Sequence, residues 1–381
     1  MTAHKKSRVL IVSNGHGEDH IACRLIAEMQ DWEILVLPLA GMGAAYAALG
    51  YTPLMTHPPM PSGGFIRSFR MLCKDVSAGL IGALRQARKL AKQHAENVDL
   101  VIAVGDVFCL GMAGWGHKTP VYFLPTAKSD AFMPHSAIER RLIRALAKRS
   151  YTRDALTAAG LSKYGLDAVF LGNPMMDGLW QTQSPPAFGE DKPVLALVPG
   201  SRDEAYLNLV YMLNIAQHAQ LEYGCHVVWA KSPELSLTKF ISHYPKNTWS
   251  FGPTGNWLRD THGTLVHIVP HFPDVLAVAD VVLGLSGTAN EQAMYVGKPV
   301  YAFEGFGPQS TLKRFEEQKA LMGGVLHILT PRDPEVILAA VGQALGARHQ
   351  MPPAPDKRAA AMIWEDIHRS FRGDISPSMG L

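Results

Sequence analysis

Short apolar runs alternate with longer mixed stretches along most of the chain. Residues 8–12, 33–37, 98–104, 121–124 and 168–171 are runs rich in Val, Ile, Leu and Phe, and each reads as a buried strand. The stretches 19–29 and 41–49 read as helices, and the basic run 140–149 is helical as well. Near-continuous apolar strands, as opposed to half-polar ones, belong to parallel sheets covered on both faces. A second series begins near residue 193, with strands at 194–198, 226–230, 264–269, 280–286 and 298–303. Helical segments at 206–219, 274–279 and 287–295 lie between them. The Pro-, Ser- and Gly-rich stretch 181–192 separates the two series and has the composition of a linker. The pattern predicts an α/β protein of two Rossmann-like, doubly wound domains with a cleft between them. Their boundaries are 1–180 and 193–350, and residues 351–381 form a Pro-rich connection, a terminal helix over 357–371 and a tail.

Parallel sheets bind ligands beyond the carboxyl ends of their strands, so the residues that follow each strand carry the chemistry. After strand 194–198 come Pro199, Gly200, Ser201 and Arg202. Gly200 allows close backbone approach. Ser201 is placed to cap the following helix, whose free N–H groups and dipole favour an anion. Arg202 adds a planar charged fork for phosphate oxygens. After strand 280–286 the chain repeats the device with Ser286, Gly287 and Thr288, and Glu291 follows one turn later, where it can accept sugar hydroxyls. The loop after strand 298–303 carries Gln309, Ser310 and Thr311, which can bond a base or a sugar. One such turn is an ordinary strand-to-helix connection. Two in one domain predict a nucleotide diphosphate.

The first series has its own strand ends. Gly15, His16, Gly17 and Glu18 follow the first strand, and Asp106 follows the third. The Gly15-x-Gly17 spacing lacks the third glycine of a dinucleotide fingerprint, and the carboxylates of Glu18 and Asp19 oppose a phosphate there. Asp106 is the candidate general base and His16 the second, with Glu18 positioning hydroxyls. Residues 55–90 differ in kind: Phe65 and Phe69 stand among Arg67, Arg70 and Lys74, which suits either a solvated helix face or an anionic lipid surface.

The net charge of +3 is too small to argue for nucleic acid. It is unevenly spread, with +6 in residues 1–180 and −3 in the remainder, which points to an anionic partner for the first half. The four cysteines form no C-x-x-C pair, which suits a reducing compartment. The polar N-terminus does not read as a signal peptide. A cytoplasmic protein is expected, any membrane contact being peripheral at the inner membrane. No P-loop, H-E-x-x-H or Asp-x-Asp element is present, so neither metal nor cofactor is expected.

Together, Leu197 to Arg202 with Glu204, the segment Gly172, Asn173, Pro174, Met175, Met176 and Asp177, and the Ser286-Gly-Thr-Ala-Asn-Glu291 turn resemble the lipid-A-disaccharide synthase family, in particular its synthase-related subgroup. The loop from Ser13 to Asp19 lies where that family has a Gly-Glu-x-Ser-Gly-Asp loop. The resemblance implies a GT-B glycosyltransferase with a UDP-sugar donor on the second domain, a lipid-linked or anionic acceptor on the first, and no metal. It places Gly200, Ser201, Arg202, Ser286, Gly287, Thr288, Glu291 and Gln309 at the donor. Phe65, Arg67, Phe69, Arg70 and Lys74 fall at the acceptor or membrane. The departures, Asn173 for His and one carboxylate at Asp106 for two, lie largely in the first half. The alternatives are a UDP-sugar epimerase or hydrolase on the same fold, and a non-catalytic nucleotide- or lipid-binding protein.

Overall fold

A computed structural model describes residues 6–40, 42–56, 80–189, 191–243 and 248–373. Contacts divide the chain into two units, Met1–Asp177 with Asp356–Leu381, and Gly178–Pro355.

The first unit is built on six parallel strands: β1 Arg8–Ser13, β2 Glu33–Pro38, β3 Leu100–Gly105, β4 Val121–Pro125, β5 Arg149–Tyr151 and β6 Ala168–Val169. They lie in the order β2-β1-β3-β4-β5-β6. Both faces are apolar and the side-chain alternation divides them. Val9 and Ile11 of β1 join one core with Ile102, Val104 and Tyr122, while Leu10 and Val12 join the other with Val101, Ala103 and Phe123. That is the period of two expected of a strand buried on both sides.

Helices α1 His16–Ile26 and α2 Ala44–Ala48 follow β1 and β2. Then come α3 Leu80–Ala95, α4 Val107–Gly114, α5 Ala137–Leu146 and α6 Ala155–Ser162. Helix α1 begins three residues earlier than the pattern predicts, and α2 is shorter. The basic run 140–149 is not all helix. Helix α5 ends at Leu146, and Arg149 turns into β5 to pair beside Tyr122. Charge hid that three-residue strand from the pattern.

The second unit carries eight strands: β7 Val194–Val198, β8 His226–Ala230, β9 Trp249–Phe251, β10 Trp257–Asp260, β11 Leu265–Val269, β12 Val281–Gly284, β13 Val300–Phe303 and β14 Leu326–Leu329. Their order is β14-β13-β12-β7-β8-β11-β10-β9. Strands β9 and β10 add an antiparallel edge to the otherwise parallel sheet, which the sequence reading does not anticipate. Its helices are α7 Glu204–Tyr223, α8 Leu237–Ile241, α9 Phe272–Val278, α10 Thr288–Tyr295, α11 Leu312–Met322 and α12 Pro334–Leu345. The Pro/Ser-rich stretch before β7 is held on this unit, since Asp274 accepts the Gln183 and Ser184 N–H groups at 2.7 and 3.0 Å.

The terminal helix α13, Ala359–Arg372, belongs to the first unit. Its buried Ile363, Trp364 and Ile367 close the core over α1, and Trp32 meets Trp364 edge-on at 5.1 Å. Asp177 holds the helix start, accepting the Ala359 and Ala360 N–H groups at 2.9 and 2.8 Å. The carboxylate satisfies two of the four donors that a helix leaves open, so the Asp of the 172–177 segment has a structural function here.

Candidate functional site

In each unit the order of the strands reverses beside the first strand, because β1 is flanked by β2 and β3, and β7 by β8 and β12. Chain leaving neighbouring strands there runs in opposite directions and opens a crevice at their carboxyl ends. The residues singled out from the sequence and described in the structure fall largely at these two places.

In the second unit, β7 ends and Gly200 turns with φ 110, a left-handed conformation that glycine adopts without strain. Ser201 and Arg202 are exposed. Contrary to the sequence expectation, Ser201 does not cap the helix: the N-cap is Asp203, which makes no side-chain bond to the helix start. The Ser-Arg pair thus forms the turn itself, and Ala205 N–H bonds back to the Arg202 carbonyl at 2.9 Å. Just past the adjacent β12, Leu285 N–H bonds to the Val198 carbonyl at 2.8 Å, so the second turn starts level with the first. Gly287 is the N-cap of α10, with no side-chain bond to the helix start. Thr288 opens the helix, and Glu291 lies in its first turn, half-buried. After β13 a third loop returns along the same edge. Its Gly307 has φ 89, and a Cβ there would lie 2.5 Å from the Glu204 side chain. The Gln309 side-chain Oε1 accepts from Arg314 at 3.4 Å, and Arg314 is paired with Glu317 at 2.7 Å.

The sequence reading missed Asn208, a fully buried residue of α7. Its amide donates to the Pro199 carbonyl at 3.2 Å and the Phe306 carbonyl at 3.3 Å, and its oxygen accepts the Phe306 N–H at 2.7 Å. Ser310 Oγ donates to the Leu285 carbonyl at 3.0 Å. Gln318 donates to the Gly287 carbonyl at 2.8 Å. The three loops are therefore cross-linked from beneath. The available signal was a lone Asn among the apolar positions of a helix.

In the first unit, Asp106 is the N-cap of α4, and its Oδ1 accepts the Cys109 N–H at 2.9 Å. Asn14 N–H bonds to the Val104 carbonyl at 3.1 Å, tying the β1 loop to the end of β3. Thr126, from the end of β4, donates to Glu18 at 3.1 Å. Burial holds the Glu18 carboxyl above the usual range; its backbone and Thr126 bonds and Arg153 oppose this, and the Asp106 charge adds to it. Asp19 does not face the crevice. It is buried, accepts Ser13 Oγ at 2.5 Å, and Ser13 in turn accepts the Tyr46 hydroxyl at 2.7 Å. Burial pushes Asp19 up to about 7, against the opposing Ser13 bond. His16 opens α1, and its side chain lies outside the described residues.

The structure thus groups Glu18 and Asp106 at one strand-end site. It gathers Gly200, Ser201, Arg202, Ser286, Gly287, Thr288, Glu291 and Gln309 on the loops of the other. Phe65, Arg67, Phe69, Arg70 and Lys74 lie outside the described residues. Among the described residues no group of three or more His, Cys, Asp and Glu side chains could hold a metal, and no helix is long and apolar enough to cross a membrane.

No protein-family model matches the chain, and no curated protein sequence matches it. Solved structures do match along its whole length. The UDP-GlcNAc 2-epimerase from Neisseria meningitidis bound to UDP-GlcNAc is 15% identical, covering 95% of this chain and 100% of that one, with a TM-score of 0.59. The Methanocaldococcus jannaschii UDP-GlcNAc 2-epimerase, in complex with UDP-GlcNAc and UDP, is 14% identical, covering 95% and 99%, with a TM-score of 0.57. CalG4, the calicheamicin glycosyltransferase, is 15% identical, covering 98% and 100%, with a TM-score of 0.58. The chain has the GT-B fold, two Rossmann-like α/β domains on parallel sheets.

These neighbours correct the functional expectation. The reading as a hexosyltransferase, with transfer from a UDP-sugar to a lipid-linked or anionic acceptor, is overturned by the run of UDP-GlcNAc 2-epimerases among the matches. The resemblance to lipid-A-disaccharide synthase holds at the level of the fold and no further. Its motifs at 197–202 and 286–291 fall at strand-to-helix turns of the second unit, while the departures at Asn173 and Asp106 fall in the first unit.

Proposed function

We propose that this protein acts on a UDP-sugar as an epimerase or hydrolase, with the nucleotide diphosphate held on the second unit. The observation that carries the reading is the pair of turns at the level ends of β7 and β12, with Arg202 beside them. The GT-B structures named as complexes with UDP-GlcNAc or UDP support it.

Hydrolysis breaks the bond from the sugar's anomeric carbon to the diphosphate oxygen and closes with water on that carbon. Epimerisation by elimination breaks the same bond as a base takes the carbon-2 proton, and closes when the diphosphate re-adds and a proton returns on the other face of carbon 2. In both, negative charge develops on the departing diphosphate. Helix-start N–H groups at Ser286 to Thr288 and the Arg202 guanidinium meet that charge without rearranging. Glu291 accepts hydroxyls of the ribose or sugar, and Gln309 bonds the base or sugar. Proton transfer falls to the first unit. Asp106 is the base, with His16 the second candidate. Glu18, whose burial favours its protonated form, suits the acid role. No step is assigned to a metal or cofactor.

The test is incubation with UDP-GlcNAc in D2O, followed by proton NMR. The expected result is deuterium at sugar carbon 2 with its epimer appearing, or free sugar with UDP, and loss of either in Asp106→Asn. An unchanged substrate, with no UDP bound in calorimetry, refutes the reading.

A further inference from the structure

We infer that two buried side-chain amides, Asn208 and Gln318, are positioning residues that aim the peptide N–H groups of the diphosphate loops; this rests on the UDP-sugar reading above. An anion site made of main chain has a geometric requirement. Each carbonyl must be turned away from the ligand, since a carbonyl oxygen repels a phosphate oxygen as surely as an N–H attracts it. In a planar trans peptide the C=O of one residue and the N–H of the next point in opposite directions. A donor that holds a carbonyl inward therefore holds the following N–H outward.

Asn208 does this for two loops at once. Its Nδ2 donates to the Pro199 and Phe306 carbonyls, which turns the Gly200 and Gly307 N–H groups the other way. Gln318 does it for the turn after β12, with Nε2 donating to the Ser286 carbonyl at 3.4 Å and the Gly287 carbonyl at 2.8 Å. That turns the Gly287 and Thr288 N–H groups outward. Ser310 completes the set at the Leu285 carbonyl, aiming the Ser286 N–H. Five N–H groups from three loops are thereby directed by side chains rooted in α7, α11 and the third loop.

Both amides are buried, with Asn208 1% and Gln318 8% exposed. Gln318 Oε1 has no hydrogen-bond partner among the described residues. A buried acceptor left unmet is costly, so the amide is oriented by its two carbonyls and not by a need of its own oxygen. Asn208 has both ends occupied. Its oxygen fixes the Phe306 N–H while its nitrogen fixes the carbonyls on either side, so neither half of the amide can be replaced by the other.

The test compares UDP with uridine, which shares the base and ribose but has no phosphate. Calorimetric affinities are measured for the full-length wild type, Asn208→Asp and Gln318→Glu. Each variant keeps the shape but replaces the donor with an acceptor facing carbonyls. The expected result is an affinity for UDP lowered about tenfold or more, with uridine affinity within about twofold of the wild type. Equal losses for both ligands would show that the amides only hold the fold together and would overturn the inference, as would an unchanged UDP-to-uridine ratio in folded variants. If Asn208→Asp does not fold, Gln318→Glu decides alone. A wild type that binds UDP no better than uridine refutes the UDP-sugar reading itself, before any variant is measured, and takes this inference with it.

Discussion

Arg202 stands exposed at the turn after β7, where a guanidinium can form charge-assisted bonds to a diphosphate. Such bonds contribute about 1.5–3 kcal/mol, so Arg202→Ala is expected to weaken UDP binding roughly 10- to 100-fold, read by calorimetry. A loss below twofold, roughly 0.4 kcal/mol, would remove Arg202 from the site. Asp19 carries a different expectation. In the folded chain it is held up at about 7 from an ordinary 3.8, so the fold binds its proton more tightly than the unfolded chain does. Its contribution to stability is complete below about pH 4 and is lost as the pH rises through 7. Asn at this position can still accept the Ser13 hydroxyl and does not ionise. Between pH 4 and pH 8 the wild type should therefore lose more stability than Asp19→Asn, measured by urea midpoints. Parallel pH profiles would show that the Asp19 carboxyl does not titrate in this window.

Among the elements, the loops of the second unit depend on close approach. Gly307 has a positive φ and is packed against Glu204, so Gly307→Ala must both strain the backbone and displace that side chain. The expected outcome is a loss of about 1–3 kcal/mol in stability, accompanied by weaker UDP binding; unchanged binding would detach this loop from the diphosphate site. At the start of α5, Ser136 and Glu139 exchange hydrogen bonds in a capping box. This pattern, Ser followed three residues later by Glu, is legible in the sequence by rule, whereas the start of α7 at Asp203 is not, because Ser201 two residues earlier is an equally good cap by type. The turn decided between them. Gly200 takes the chain out of the strand in a left-handed conformation, and the helix starts only after Ser201 and Arg202 have completed the bend.

At the scale of the whole molecule, the last helix is the long-range feature of the first unit. Trp364 packs against Trp32 and lies in the core with Ile363 and Ile367. Truncating it to Ala leaves a cavity, and the expected cost is about 3–5 kcal/mol. Thermal unfolding that leaves the transition unmoved would show that α13 is not part of that core. Alternating apolar runs were sufficient to indicate two doubly wound units, because strands buried on both faces must be apolar throughout. Glycine and hydroxyl residues after those runs marked the turns at β7 and β12, because a backbone that approaches a ligand needs small residues. Local sequence also identified Asp106 and Glu18 as carboxylates at strand ends. Only the tertiary structure brought Glu18, Asp106 and Thr126 together, since β1, β3 and β4 become neighbours through hydrogen bonds between strands far apart in the chain. Only it buried Asp19 beside Ser13 while leaving Glu18 toward the crevice. Only it revealed Asn208 and Gln318, whose partners lie up to 102 and 32 residues away and whose function comes from the carbonyls they hold. The choice of reaction was likewise invisible to local pattern. The motifs at 197–202 and 286–291 report strand-to-helix turns, and a turn is set by residues adjacent in the chain, so they carry the fold and leave the chemistry to residues that the fold brings together from distant strands.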